Sequence, residues 1–397
     1  VLLGVAGVSP VISRPFLAVV RAGYARVFGS VGNLAGLNSL RNPRRTTATA
    51  SALMIGLALA GTMAIIGDSA KASVDKAIAD NFTGDYVVSN LFGQPFSPQV
   101  AREMAQVPGV EDVLAQRWAY VTLDGEDGML GAADPAKLGK ALRVEMRTGS
   151  LADLSDGTVL VSRGYADDHG LQVGDTVTAE VPSGTQEYAV TGVFEDNPLV
   201  GVPVLTTPQT LLDAGFQDAD NYLIITTSEN SPQMQLALED VVADLPIVTV
   251  KDQAGFAEEQ RGPIDQLVLM IYALLGLALL IASLGIMNTL ALSVIERTRE
   301  VGLLRAIGLS RRQLRRMITL ESVVIAVLGA VLGVLLGSAF GAAMMYALRD
   351  EGLEVISIPF GQLTVFLVLA VLIGVVAAIL PARRAGRLDV LTAIATE

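Results

Sequence analysis

Apolar residues form long uninterrupted runs at both ends of this chain and short runs separated by turn residues through its middle. The long runs cover about 1–13, 47–66, 267–295, 318–348 and 360–380. At ~1.5 Å of rise per residue, each of the last four can cross a hydrocarbon core of ~30 Å as a helix. The first reads as the tail of a preceding span. Between the second and third runs the pattern changes to short β-rich stretches. DYVVS at 85–89, 118–123, YLIITT at 222–227 and 247–250 read as strands. Ser97-Pro98 and Ser231-Pro232 each place an N-cap before a proline, predicting helices to about 107 and 244. These make two β-α-β units, which together predict a split βαβ sandwich of the ferredoxin-like kind. Between them, 158–207 alternates TVLVS, TVTAEV and EYAVTGVF with turns, and reads as a small inserted β-rich subdomain; Thr207-Pro208 then opens a short helix. The fold class expected is an α-helical transmembrane bundle with a large extracytoplasmic α/β domain.

Charge orients this arrangement. Segment 71–264 holds 30 acidic and 11 basic residues, the remainder 10 and 17. Arginines 14, 21, 26, 41, 44 and 45 lie between the first two runs; 297, 299, 305, 311, 312, 315 and 316 between the third and fourth; 383, 384 and 387 after the fifth. If the spans alternate direction, all three clusters fall on one side, the cytoplasm, and the acidic segment falls outside. The chain has no cysteine and one histidine, His169, which excludes a disulfide framework, cysteine catalysis and multi-histidine metal sites. His169 reads as a solvated residue in an outer loop. No cofactor or metal site is expected, nor a nucleic-acid partner. A composition rich in Ala, Gly, Val and Arg suits a high-GC bacterium.

The strongest motif follows the third run: ERTREVGLLRAIG at 296–308. It predicts a short amphipathic helix, with Arg297/Glu300 and Glu296/Arg299 spaced for pairing and Val301, Leu304 and Ile307 as an apolar ridge. Gly308 suits a left-handed C-cap, and Ser310 with Gln313 a capping box for the next helix. Such a helix either transmits force between two spans or only anchors them. In the fourth run Gly329, Gly333, Gly337 and Gly341 make one flat face, open to a neighbour in the same bundle or to a second copy. Glu321 reads as an interfacial charge with a partner in Arg315 or Arg316.

GIMN at 285–288, the ERTREVGLLRAIG run, Glu321 and PARRAGRLDVLTAI at 381–394, in this order, resemble the FtsX-like permease domain of the MacB-type (type VII) ABC transporter superfamily. The preceding span and outer domain resemble, by layout, that family's extracytoplasmic core domain. The resemblance implies that Glu296, Arg297, Arg299, Glu300, Gly302, Arg305 and Gly308 form or shape a contact with a cytoplasmic ABC ATPase dimer, which would bind the ATP and magnesium. The 41–45 segment would be the basic lead-in to the first span. No G-x-x-x-x-G-K-S/T run occurs in the sequence. The preceding span tail resembles long bacterial permeases built from two such units, of which this would be the second. The expected organisation is then 1–27 span tail and cytoplasmic linker, 28–67 lead-in and first span, 68–265 core domain with its β-rich insert at about 158–207, and 266–397 three-span domain with the coupling helix at 296–308.

On this resemblance the chain is a permease subunit in the bacterial inner membrane, not itself an enzyme. It would export a lipid, lipoprotein, peptide or drug, or extract it from the membrane. Its partners would be the ATPase, a second permease unit in the same chain or another copy, membrane lipid and an extracytoplasmic adaptor. The alternative is a signalling scaffold of the FtsX type that activates cell-wall hydrolases. An intramembrane enzyme is disfavoured, because no Ser/His pair, HExxH run or paired aspartates lie within the spans.

Overall fold

The computed structural model describes residues 2–41, 43–349, 353 and 355–387. The chain opens with α1 (Leu2–Arg41), α2 (Pro43–Asn81), β1 (Tyr86–Asn90), α3 (Gln99–Met104), β2 (Val110–Leu123) and β3 (Glu126–Ala133). It continues through α4 (Pro135–Ala141), β4 (Met146–Thr148), β5 (Thr158–Ser162), α5 (Arg163–His169), β6 (Thr176–Val181) and β7 (Gly184–Phe194). Next come β8 (Val204–Thr206), α6 (Pro208–Asp213), β9 (Tyr222–Thr227), α7 (Pro232–Val241) and β10 (Val248–Asp252). It closes with α8 (Gln253–Glu296), α9 (Thr298–Ala306), α10 (Arg311–Ala347) and α11 (Phe360–Ala385). These elements form two compact units: residues up to Ala70 with those from Ile264, and Lys71–Pro263.

The first unit is helical. Four helices, Thr46–Asn81, Gln253–Glu296, Arg311–Ala347 and Phe360–Ala385, are long and apolar enough to cross a membrane. They carry four of the five apolar runs. The remaining run starts at Val1, outside the described residues, and its continuation is helical within α1. That helix is not straight. Gly29, at φ 61° and ψ −138°, breaks it, and its two halves lie against each other. Arg21 Nε donates to Asn33 Oδ1 at 2.8 Å, and a Cβ on Gly36 would stand 2.7 Å from that of Arg21. The core of the unit is aliphatic and small-residue rich: Leu53 and Leu57 of α2, Ile286 and Leu290 of α8, Ala326 of α10, Ala370 and Ala377 of α11.

The second unit is built on a ten-stranded sheet in the order β10-β1-β9-β2-β3-β8-β5-β7-β4, with β6 paired to both β2 and β7. Its first four strands are antiparallel neighbours, and β1-α3-β2 and β9-α7-β10 are the two β-α-β units expected from the sequence. One face of this lobe buries Tyr86, Val88, Leu223 and Ile225 against Val100, Met104 and Leu238 of α3 and α7. Ser231 caps α7 as expected, accepting from the Met234 amide at 3.3 Å.

Several expectations need correction. The β-rich insert, which has its own core, extends beyond 158–207. It begins at β3, which pairs with β2 from Gln116↔Ala133 to Leu123↔Glu126, and its strands continue the same sheet. The hinge is a two-residue Asp124-Gly125 turn with φ of 50° and 89°, the type I′ geometry that suits a right-twisted hairpin. The strand expected at 118–123 is the distal half of the 14-residue β2. The helix expected from Ser97-Pro98 to 107 runs only Gln99–Met104, because Gly109, at φ 95°, turns the chain into β2. His169 is not in a loop. It ends α5, stacked on Tyr165 at 4.1 Å, and Gly170 caps the helix at φ 67°. Among the described residues no group of three His, Cys, Asp or Glu could hold a metal.

Candidate functional site

The ERTREVGLLRAIG run folds as a break and a short helix. α8 ends at Glu296 although neither proline nor glycine follows. Thr298 ends it: its hydroxyl donates to the Ile295 carbonyl at 2.7 Å, and Arg297 leaves helical geometry at φ −109° and ψ 20°. α9 then stops in a Schellman arrangement. The Leu309 amide donates to the Leu304 carbonyl at 3.0 Å and the Gly308 amide to that of Arg305 at 3.1 Å, with Gly308 at φ 108°. Ser310 and Gln313 form a reciprocal capping box at the start of α10. The C-terminal end of α9 and the start of α10 are therefore fixed by local hydrogen bonds.

Burial divides the helix into two faces. Val301 and Gly302 are buried. Val301 belongs to a cluster with Val31 and Ala35 of α1, Leu314, Met317 and Ile318 of α10, and Ala382 and Ala385 of α11. Arg316 stacks its guanidinium over the Phe28 ring at 4.6 Å, tying α10 to the same part of α1. Glu296, Arg299 and Glu300 are exposed, and so are Leu303 and Ile307, the last at 82%. Ile307 thus leaves the ridge expected for it, because it is the C-cap and the helix has already unwound there. Glu300 lies 3.5 Å from Arg41, an exposed pair whose contribution is small. Of the 41–45 lead-in, Asn42 lies outside the described residues, as do residues 388–394 of the C-terminal motif.

Arg297 turns inward. With Glu321, Asn38, Thr46, Thr289 and Ser293 it lines a small polar cavity of about 20 Å³. Glu321 had been expected beside Arg315 or Arg316. Sequence neighbours five or six positions away lie on other faces of α10, and Arg316 is engaged at Phe28. Nearby, the Thr49 and Thr289 hydroxyls approach to 3.0 Å.

The four glycines of α10 face α2. A Cβ at Gly329 would meet the Ala50 carbonyl oxygen at 2.6 Å, at Gly333 that of Met54 at 2.7 Å, at Gly337 that of Ala58 at 2.5 Å, and at Gly341 the Ile65 side chain at 2.9 Å. Thr62 Oγ1 adds a bond to the Gly337 carbonyl at 3.2 Å. The stripe is therefore filled by a helix of the same bundle, at the near-contact distances that only glycine permits.

Together these features define a multi-span membrane protein with an outer α/β unit and a fixed, charged helical corner between two spans. Family models match it in two places: a MacB-like periplasmic core domain over residues 46–244 and an FtsX-like permease C-terminal domain over 272–390. The chain belongs to this family of FtsX-like permeases with a MacB-like core domain, as its motifs suggested. It is a multi-pass protein of the bacterial inner membrane with the core domain outside the cytoplasm. The macrolide export ATP-binding/permease protein MacB of Photorhabdus laumondii is 27% identical over 402 residues, covering 90% of this chain and 59% of that protein. An uncharacterised ABC transporter permease protein of Mycobacterium tuberculosis is 22% identical over 351 residues, covering 81% and 40%. The chain thus spans less than two thirds of either relative. The crystal structure of the periplasmic region of MacB from Actinobacillus actinomycetemcomitans aligns over 47% of this chain and 96% of that one, with TM-score 0.37 and 12% identity.

Proposed function

We propose that this chain is the permease of an ABC transporter whose ATPase is a separate cytoplasmic subunit, docked on α9. ATP-driven movement of that subunit, passed through the spans, would shift the core domain to export a lipid, lipoprotein, peptide or drug, or to lift it from the membrane. The observation that supports docking is the outer face of α9. With the last residue of α8, Glu296, it presents Arg299 and Glu300 ahead of the exposed Leu303 and Ile307, on a helix whose C-terminal end is held by local hydrogen bonds. Exposed apolar side chains beside charged ones suit a protein contact better than open water, and a locally fixed helix passes displacement on instead of absorbing it. Relatives named as ATP-binding/permease proteins support the pairing of such a permease with an ATPase, although there the two functions share one name.

The test is a pull-down of the ATPase from membranes, followed by ATP turnover in nanodiscs. Wild type is compared with Glu300→Lys plus Arg305→Glu, and with Ile307→Asp. Loss of a central apolar contact of this kind weakens an interface by roughly 2 kcal/mol, about thirtyfold in affinity. ATPase release or uncoupled turnover is expected in both variants. Unchanged binding and turnover in both would reduce α9 to an anchor and overturn the docking assignment.

A further inference from the structure

The outer unit contains a cavity that the proposed coupling does not use. It lies on the sheet face opposite α3 and α7, encloses about 340 Å³, and is wholly within Lys71–Pro263. Four aromatic rings follow one another along its wall. Trp118 and Tyr222 are 5.3 Å apart, Tyr222 and Phe256 6.2 Å, Phe256 and Phe82 6.2 Å. Trp118 is the only tryptophan in the chain. Two amides, Gln116 and Gln260, join the Tyr120 and Tyr222 hydroxyls among otherwise apolar neighbours, and among the described residues no carboxylate, lysine or arginine lines the space. Burial raises the pKa of the Tyr222 hydroxyl, and the Glu259 carboxylate outside the lining adds to the rise, so this ring is neutral across the physiological range.

The rim is built rigidly. Residues 197–201 pass over the cavity as a tight turn. Asn197 Oδ1 accepts from the Leu199 amide at 2.9 Å, Asn197 Nδ2 donates to the Arg143 carbonyl at 2.9 Å, and Gly201 takes φ 70°. Gln116 Nε2 reaches the Leu199 carbonyl at 3.5 Å. Behind the turn, Val202 packs on Gly131 so closely that a Cβ there would clash at 2.4 Å. A strap held by its own hydrogen bonds and by this contact cannot settle inward to close the space.

We propose that this cavity is a binding site for a small uncharged, largely apolar molecule with a hydrogen-bonding end: one or two rings, or an equivalent length of alkyl chain. The size follows from comparison with an engineered apolar cavity of ~150 Å³ that accommodates benzene; this one is about twice as large. The aromatic wall supplies flat apolar contact, and Gln116 and Gln260 supply a donor and an acceptor for one polar group. The absence of any charged lining residue selects against ions, because a charge here would lose its water without gaining a partner. The site needs no ATPase, so it stands or falls separately from the docking on α9.

Because Trp118 is the sole tryptophan of this sequence and sits in the wall, its emission reports on the site in the intact chain. The probe is ω-bromodecanol, whose bromine quenches only on contact, titrated into the protein in nanodiscs. Saturable quenching is expected, reversed by unbrominated decanol and much weaker with the charged analogue ω-bromodecyl trimethylammonium. Ala77→Phe, which projects a ring into the cavity from α2, should weaken the quenching by about tenfold or more; Val74→Phe serves if that variant does not fold. Quenching that rises linearly without saturation, or that is equal for the charged analogue, would overturn the proposal.

Discussion

Gly337→Leu is expected to destroy the folded helical bundle, while Gly276→Leu leaves it intact. The Cβ at position 337 would lie 2.5 Å from the Ala58 carbonyl oxygen and 3.1 Å from both the Gly61 Cα and the Thr62 nitrogen. All three are backbone atoms of α2, so no side-chain rotation relieves the overlap. The helices would have to separate along a line where Gly329, Gly333 and Gly341 are equally tight, and the Thr62 bond to the Gly337 carbonyl would break with them. Overpacking a core typically costs 1–3 kcal/mol, and a clash with fixed backbone belongs at or above the top of that range, about 3 kcal/mol or more. At Gly276 nothing lies within 4 Å of the added Cβ. A leucine there should change stability by no more than about 0.5 kcal/mol. Thermal unfolding in detergent, followed by size-exclusion chromatography, separates the two outcomes. Equal behaviour of the two variants would mean that α10 does not pack on α2 through this stripe.

The second large effect lies in the outer unit. Asp220 is completely buried; its Oδ1 accepts from Arg117 Nε at 2.7 Å, and its Oδ2 has no hydrogen-bond partner among the described residues. Arg117 also reaches Asp218 at 2.6 Å. Burial raises the pKa of Asp220 more than Arg117 lowers it, so the net shift is upward. The folded state therefore holds this proton more tightly than the unfolded chain does. Stability contributed by the site is greatest in acid. It is lost as pH rises from the ordinary carboxylate range, about 4, through the raised value. Arg117→Leu removes the cation bonded to the buried charge, beside which the field of Arg102 is the smaller influence, and should cost about 3–5 kcal/mol near neutral pH. Part of that loss should return on acidification, and Asp220→Asn in the same chain should restore most of it at neutral pH. Urea unfolding followed through the neighbouring Trp118 measures all three. A loss independent of pH and not rescued by Asp220→Asn would show that Arg117 matters through packing alone.

What could be read from the sequence divides along a physical line. Membrane spans were legible because hydrocarbon demands long uniform runs and loop arginines fix orientation, neither of which depends on tertiary contacts. The β-α-β units were legible where strands carried their own pattern, as at 222–227, and helices carried their own caps, as at Ser231. β3 was missed because GEDGMLGAA has little strand character of its own. It is a strand through its pairing with β2, and the Asp124-Gly125 turn was the local signal that could have revealed it. The extensions of α2 and α8 beyond their apolar runs were missed for a related reason. Their core-facing residues, such as the buried Ile78 and Phe256 and the half-buried Val74, are spaced helically within polar sequence and look like loop until the sheet they cover is known. At the candidate site the motif located α9 and its caps. The exposure of Ile307 depends on where the helix unwinds, and the sharing of a cavity by Arg297 and Glu321 depends on how α8 crosses α10. The aromatic cavity could not be read at all, because its four rings come from β2, β9, α8 and the residue after α2.

Strand β2 serves two lobes along its 14 residues: β9 takes its first half, β3 its second, and β6 joins at its tip. The segment from 126 to 213 therefore cannot be excised as a cassette, although it sits between the halves of a βαββαβ frame. Removing it would bare the edge of β2 and one wall of the cavity beneath Leu199. Any lineage that trims or swaps this segment must rebuild that edge at the same time, so the two lobes should be inherited together.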